Sequence, residues 1–160
     1  MRALASLDVR LQQRRLTADV FVFGGAAMVL GFDARPATRD LDAVWLPHTA
    51  VLEEAWAVAD ELDLPRSWLN DHASAYLPSG VRSGDAVAFQ GAALRVTLAS
   101  AELLLAMKVR AARRGDLADI ALLAHRVGLT TAEELIAHAE SVFDEPLGER
   151  QRMVIEDLLG

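Results

Sequence analysis

The 160-residue chain contains no cysteine. That excludes disulfide staples and thiolate metal sites, and it agrees with a reducing compartment, so the cytoplasm is the expected location. The opening residues MRALASLDVRLQQRR lack an uninterrupted apolar core of signal-peptide length, because Asp8 and Arg10 interrupt it. Residues 20–32 are the longest apolar stretch, but they include three glycines and fall short of the roughly 20 residues a membrane helix needs. No membrane partner is expected. Basic residues are in deficit, 16 against 23 acidic, for a net charge of −7. A generic nucleic-acid coat is thereby disfavoured, since phosphate contacts supply most of that affinity. His48, His72, His125 and His138 have no i, i+4 pairing, so a zinc site is not expected. Internal repeats and low-complexity segments are also lacking.

What is present suffices for a folded core. Apolar residues make up 52% of the chain, ample for one well-packed domain of this length. Charge is unevenly placed. Arg10, Arg14 and Arg15 form one basic group and Lys108, Arg110, Arg113 and Arg114 another, while the last thirty or so residues are acidic. A basic patch on an acidic protein can still hold a nucleotide or an RNA end.

The chain is organised around Phe21 to Trp45, FVFGGAAMVLGFDARPATRDLDAVW. Val20 to Phe23 is β-branched and aromatic and reads as a buried strand. Gly24 and Gly25 then permit a tight turn into a short helix from about Ala26 to Leu30. Backbone N–H groups at such a helix start are a ready anion site, and the missing side chains let a phosphate come close. After a polar connection over residues 31–39, a second strand over residues 40–46 carries Asp40 and Asp42. Alternation along a strand sends both carboxylates to one face, roughly 7 Å apart, where they can converge on a hard cation.

Upstream of this stretch, Leu4, Leu7 and Leu11 predict an amphipathic helix. Downstream, Thr49 is the expected N-cap of a helix whose apolar face includes Val51, Leu52, Ala55, Val58, Ala59 and Leu62. Trp68 and Leu69 read as anchors on the core, and residues 86–90 and 92–98 as two strands of a hairpin turning near Gly91. From Ser100 onward the pattern is helical: a helix capped by Ser100 and ended at Gly115, a second over residues 117–127 with Asp116 at its cap, a third opened by the capping box Thr131/Glu134, and a fourth over residues 147–159. The reading is an α+β core over residues 1–99 with a C-terminal helical region, 100–160, packed on it as a single compact unit.

Gly-Gly after a strand, followed by Arg-x-x-Thr-x-Asp-Leu-Asp entering the next strand, resembles the nucleotidyltransferase superfamily with its polymerase-beta-like fold. In detail the chain is similar to the branch related to the AbiEii abortive-infection toxins and to nucleotidyltransferase-like proteins of the DUF6036 group. Residues 64–71 and the run from Ala106-Met107-Lys108 through Arg113, Asp116, Leu117 and Asp119 share in the likeness, which spans about residues 20–124. The resemblance implies a mixed sheet flanked by helices. It implies a nucleoside triphosphate held by Gly24 and Gly25, with Arg35 and Thr38 as further contacts. Asp40 and Asp42 would bind Mg²⁺, and Lys108 and Asp119 would join them as catalytic residues. The implied activity is transfer of a nucleoside monophosphate to an RNA end, such as tRNA, or to a protein hydroxyl, as the toxin of a toxin–antitoxin pair with a cognate antitoxin as partner. The departure lies in the third carboxylate that active members carry on a later strand. The two candidate strands contain none, and only Asp85 stands at an edge. The alternative is a catalytically degenerate member that binds a nucleotide or a protein partner.

From residues alone, Lys108 can equally be a point charge for a triphosphate or a lysine paired to a nearby acid. Asp119 is placed to face Lys108 or Arg113, and Asp116 reads as a cap before it reads as a catalyst. Trp68 reads as packing before substrate stacking. Arg35 is a better phosphate ligand than Arg39, which alternation sends to the opposite strand face from Asp40.

Overall fold

The computed structural model describes residues 1–32, 40–81 and 83–159. Arg35, Thr38 and Arg39 lie outside the described residues. The chain divides into two compact units, Met1–Ala75 with Arg82–Ala99, and Tyr76–Val81 with Ser100–Gly160. The architecture is mixed α+β: a central sheet flanked by helices, followed by C-terminal helices.

In the first unit, α1 (Arg2–Gln13) buries Leu4, Leu7 and Leu11, the stripe its spacing predicts. Strand β1 (Ala18–Phe23) is buried at every position but Asp19. Helix α2 (Gly24–Phe32) follows it without an intervening turn, earlier than the expected start at Ala26, because Gly24 itself takes the left-handed φ of 64° that redirects the chain. Strand β2 is Leu41–Leu46 and helix α3 is His48–Leu62. Pro47 occupies the N-cap of α3, so Thr49 lies inside its first turn and does not cap it. A single 3₁₀ turn, Arg66–Trp68, then leads into β3, Leu69–Asn70. Trp68 packs in the core and donates its indole N–H to Ala55 O at 2.8 Å. Strands β4 (Ala86–Gln90) and β5 (Leu94–Leu98) complete the sheet in the order β3-β2-β1-β5-β4.

Strand β1 pairs antiparallel with β2 and parallel with β5. The register sets Phe23 opposite Asp42 and Phe21 opposite Val44, so these four share a face, while Val20, Val22, Ala43 and Trp45 share the other. Trp45 meets α3, donating its indole N–H to His48 O at 2.9 Å.

A buried acid ties α1 to the hairpin. The Asp8 carboxylate accepts from the backbone N–H groups of Ala93 at 2.7 Å, Leu94 at 2.8 Å and Ala92 at 3.3 Å, and from Gln12 Nε2 at 2.7 Å. These bonds hold residues 91–93 as a turn, so β5 starts at Leu94 and not at the expected Ala92. A Cβ on Gly91 would fall 2.2 Å from Asp8 Oδ1, so a side chain there would push against the bonded carboxylate. Burial alone would raise the Asp8 pKa, but the N–H donors of Ala93 and Leu94 outweigh it and hold the acid below its ordinary value.

Basic residues of α1 are likewise committed. Arg10 Nε lies 2.7 Å from Glu54, and Arg14 reaches Glu53 at 2.8 Å and Glu54 at 3.1 Å, joining α1 to α3. Two of the three cations in that group serve packing.

The second unit carries α4 (Ala101–Ala111), α5 (Leu117–Val127), α6 (Ala132–Phe143) and α7 (Glu149–Leu159). Ser100 caps α4, accepting from Leu103 N, and Thr131 with Glu134 forms the capping box of α6. Helix α4 ends earlier than expected, at Ala112 in the left-handed region with φ 44°, and Gly115 falls within a short 3₁₀ turn, Arg114–Asp116. Helix α7 starts at Glu149 and not Leu147. Leu104, Leu105, Ile120, Leu123, Leu135 and Ile155 of these helices are buried. No described helix is long and apolar enough to cross a membrane.

Candidate functional site

Three of the sequence's candidates meet at one end of β1 and β2. Gly24 follows the last residue of β1, Phe23, which stands opposite Asp42. The Asp42 carboxylate lies over Gly24, such that a Cβ built there would be 3.0 Å from Oδ2. A side chain at Gly24 would therefore displace the acid, besides being strained by the positive φ. Gly25, one residue into α2, has nothing within 4 Å of where its Cβ would be. Its lack of a side chain leaves open space and answers no packing need.

The first turn of α2 has N–H groups without intrahelical partners, as any helix start does. The Asp42 carboxylate lies over Gly24, the first residue of that helix, so the region holds both a helix start and an acid. Asp40 precedes β2 by one residue and is exposed, while Asp42 is half-buried. On the outer side of Asp42 the parallel register brings Asn70. Asn70 is buried and held by its own loop: its Nδ2 donates to Ser67 O at 3.3 Å and its Oδ1 accepts from His72 N at 3.1 Å. A two-residue strand is too short to show alternation, so nothing in the sequence placed Asn70 beside Asp42.

Lys108 and Asp119 belong to the second unit. Lys108 Nζ lies 2.7 Å from Asp116 Oδ1 and 2.8 Å from Asp119 Oδ2, and only 8% of Lys108 and 5% of Asp119 is exposed. Asp116 and Asp119 stand three residues apart at the start of α5, but their meeting with Lys108 on α4, and its burial, depend on how the two helices pack. Asp116 sits at the N-cap of α5 without capping it, its carboxylate being turned to Lys108. In this arrangement one cation is balanced by two acids. Arg110, from the same basic group, pairs with Glu145 and lies 4.6 Å from the Phe143 ring centroid.

Strands β4 and β5 carry no acid, and Asp85 is exposed just before β4. Among the described residues no group of three or more His, Asp or Glu side chains gathers in a way that could hold a metal ion. Comparison of the chain with protein-family models, with curated proteins and with solved structures finds no match.

Proposed function

We propose that the chain is a Mg²⁺-dependent nucleotidyltransferase of the polymerase-beta-like fold, moving a nucleoside monophosphate from a triphosphate to an RNA end or a protein hydroxyl, as the toxin of a toxin–antitoxin pair. The observation that carries this reading is the position of the Asp42 carboxylate over Gly24, 3.0 Å from where a Cβ would stand, which sets a helix start suited to an anion beside an acid suited to a cation.

The residues present suit the metal. Mg²⁺ takes one or two protein carboxylates and completes its shell with water and substrate phosphate oxygens, and Asp40 and Asp42 supply two acids at one strand end. When bound, Mg²⁺ neutralises phosphate charge in an in-line displacement. The chain's own part is positional: backbone N–H groups from Gly24 onward hold phosphate oxygens, and Asp42 fixes the cation beside them.

A second reading has specific support. Strands β4 and β5 lack an acid, and Lys108 is balanced by Asp116 and Asp119. These favour a protein of the same fold that binds a nucleotide or a protein partner without turnover. Incubation with each labelled triphosphate, Mg²⁺ and total tRNA or lysate, beside Asp42→Ala, separates the two. Label transfer that disappears in Asp42→Ala supports the enzyme. Absence of transfer with all four triphosphates, together with Mg²⁺-independent nucleotide binding, supports the second reading and refutes the first.

A further inference from the structure

A groove remains that the Gly24–Asp42 site does not use. Helix α3 presents His48, Leu52 and Trp56 at i, i+4 and i+8 along one side of a cavity of about 300 Å³, and the segment from Arg66 to His72 forms the other side. The rise from His48 to Trp56, a little over two turns of helix, makes that wall about 12 Å long. Trp45 and Leu69, both buried, close its floor.

Each end of the groove is bridged by a side-chain contact. At one end the Arg66 guanidinium lies 5.9 Å from the Trp56 ring centroid, steadied by Asp60 at 3.1 Å. At the other, His48 Nε2 lies 3.3 Å from Asp71 Oδ2, and the His48 ring stacks on Trp45 with centroids 5.3 Å apart and planes 12° from parallel. A second cavity, of about 310 Å³, shares Trp45, His48 and Asp71 and continues along β2 to Val44 and Leu46.

Two of the chain's three tryptophans and two of its four histidines thus line one groove. Trp56 is 40% exposed, although a buried indole would contribute more to stability. Flat π faces inside, with a guanidinium, imidazoles and a carboxylate at the rim, are complementary to a ring that is apolar on its faces and carries donors and acceptors at its edge. An aliphatic chain would leave those rim groups unused, and a bare phosphate would leave the indoles unused.

We infer that this groove binds a nucleobase, or a planar heteroaromatic ring of that class, by stacking against Trp56 and hydrogen bonding at the rim. The same ring can arrive as a free nucleoside or as a base of single-stranded RNA, and the test separates these sources. The inference stands apart from the proposed transfer reaction, because a nucleoside has no phosphate for the Gly24–Asp42 site.

The test follows the three indole N–H resonances of the full chain by NMR, in EDTA, during titration with each of the four nucleosides and with a short single-stranded RNA. Saturable shifts of the Trp56 and Trp45 resonances are expected, with Trp68, whose N–H is buried on Ala55 O, unmoved. Trp56→Ala, on an exposed helix face, should abolish the Trp45 shift while the remaining spectrum stays folded. Asp42→Ala should leave it intact. An RNA affinity about tenfold above that of the nucleosides assigns the groove to a strand, and equal affinities assign it to the free nucleoside. Absence of saturable shifts at millimolar ligand would overturn the inference. So would shifts that persist in Trp56→Ala, or equal shifts with cyclohexanol.

Discussion

Asp42 Oδ2 stands 3.0 Å from the point where a side chain on Gly24 would begin, and the two residues meet only because β2 runs antiparallel to β1 in the register that sets Asp42 opposite Phe23. The glycine is favoured for its φ of 64°, and the acid above it leaves little room for a side chain. The pairing gives the candidate site its position.

Replacing Gly24 should therefore be costly and replacing Gly25 cheap. Gly24→Ala is expected to lose about 1–3 kcal/mol through the left-handed backbone, with a further loss from the displaced carboxylate. Gly25→Ala, in open space within the first turn of α2, is expected to be neutral or to stabilise by up to about 1 kcal/mol. Thermal denaturation of the two single variants and of Gly24→Ala/Asp42→Ala measures both effects. The double variant should regain the collision part and keep the backbone part.

Asp8 should contribute to the acid limb of stability. Its folded-state pKa lies below the ordinary value, since the N–H groups of Ala93 and Leu94 overcome the opposing effect of burial. A depressed carboxyl pKa contributes stability that is full above the unfolded value of about 3.9 and is lost as pH falls through the folded value. Denaturant titrations from neutral pH downward should show wild type weakening below about pH 4, with part of that slope missing in Asp8→Asn. At neutral pH Asp8→Ala should cost roughly 2–4 kcal/mol, because buried backbone donors lose an ionised acceptor.

Lys108 should behave as the keystone of its unit. Removing it leaves Asp116 and Asp119 without the cation that balances them, and breaking a buried pair from one side costs about 3–5 kcal/mol. For a chain of this size that corresponds to a fall in Tm on the order of 10 °C. Lys108→Ala measured by calorimetry checks it. Adding Asp116→Asn and Asp119→Asn to that variant should recover part of the loss, since less buried negative charge then remains.

Much of this fold could be read in advance where the signal is local. The Leu4, Leu7 and Leu11 stripe, the Ser100 cap and the Thr131/Glu134 box each need only a few consecutive residues, and each is observed. A glycine turn and an Asp pair flanking one connection could be read as one region, but the fit of Asp42 over Gly24 could not, because it depends on the β1–β2 register. What escaped the sequence rests on distant partners. Asp8 looks like a break in an apolar helix until its acceptor role for N–H groups 84 to 86 residues away is known. Strand β3 has no alternation to read in its two residues. The His48, Leu52, Trp56 stripe is visible at helical spacing, yet the stronger apolar face through Val51, Ala55 and Val58 draws the eye to the core side of α3. Lys108 was balanced between two roles because burial is the property that distinguishes them, and periodicity alone does not reveal it.

Isothermal titration of each nucleoside triphosphate with Mg²⁺, comparing wild type with Asp42→Asn, tests the central claim most directly. Asparagine keeps the shape that fits over Gly24 and removes the charge. The account predicts binding of at least one triphosphate that requires Mg²⁺ and weakens about tenfold or more in Asp42→Asn, the loss expected on removing a charge-assisted contact. Binding that is the same without Mg²⁺, or that is unchanged in Asp42→Asn, would contradict it.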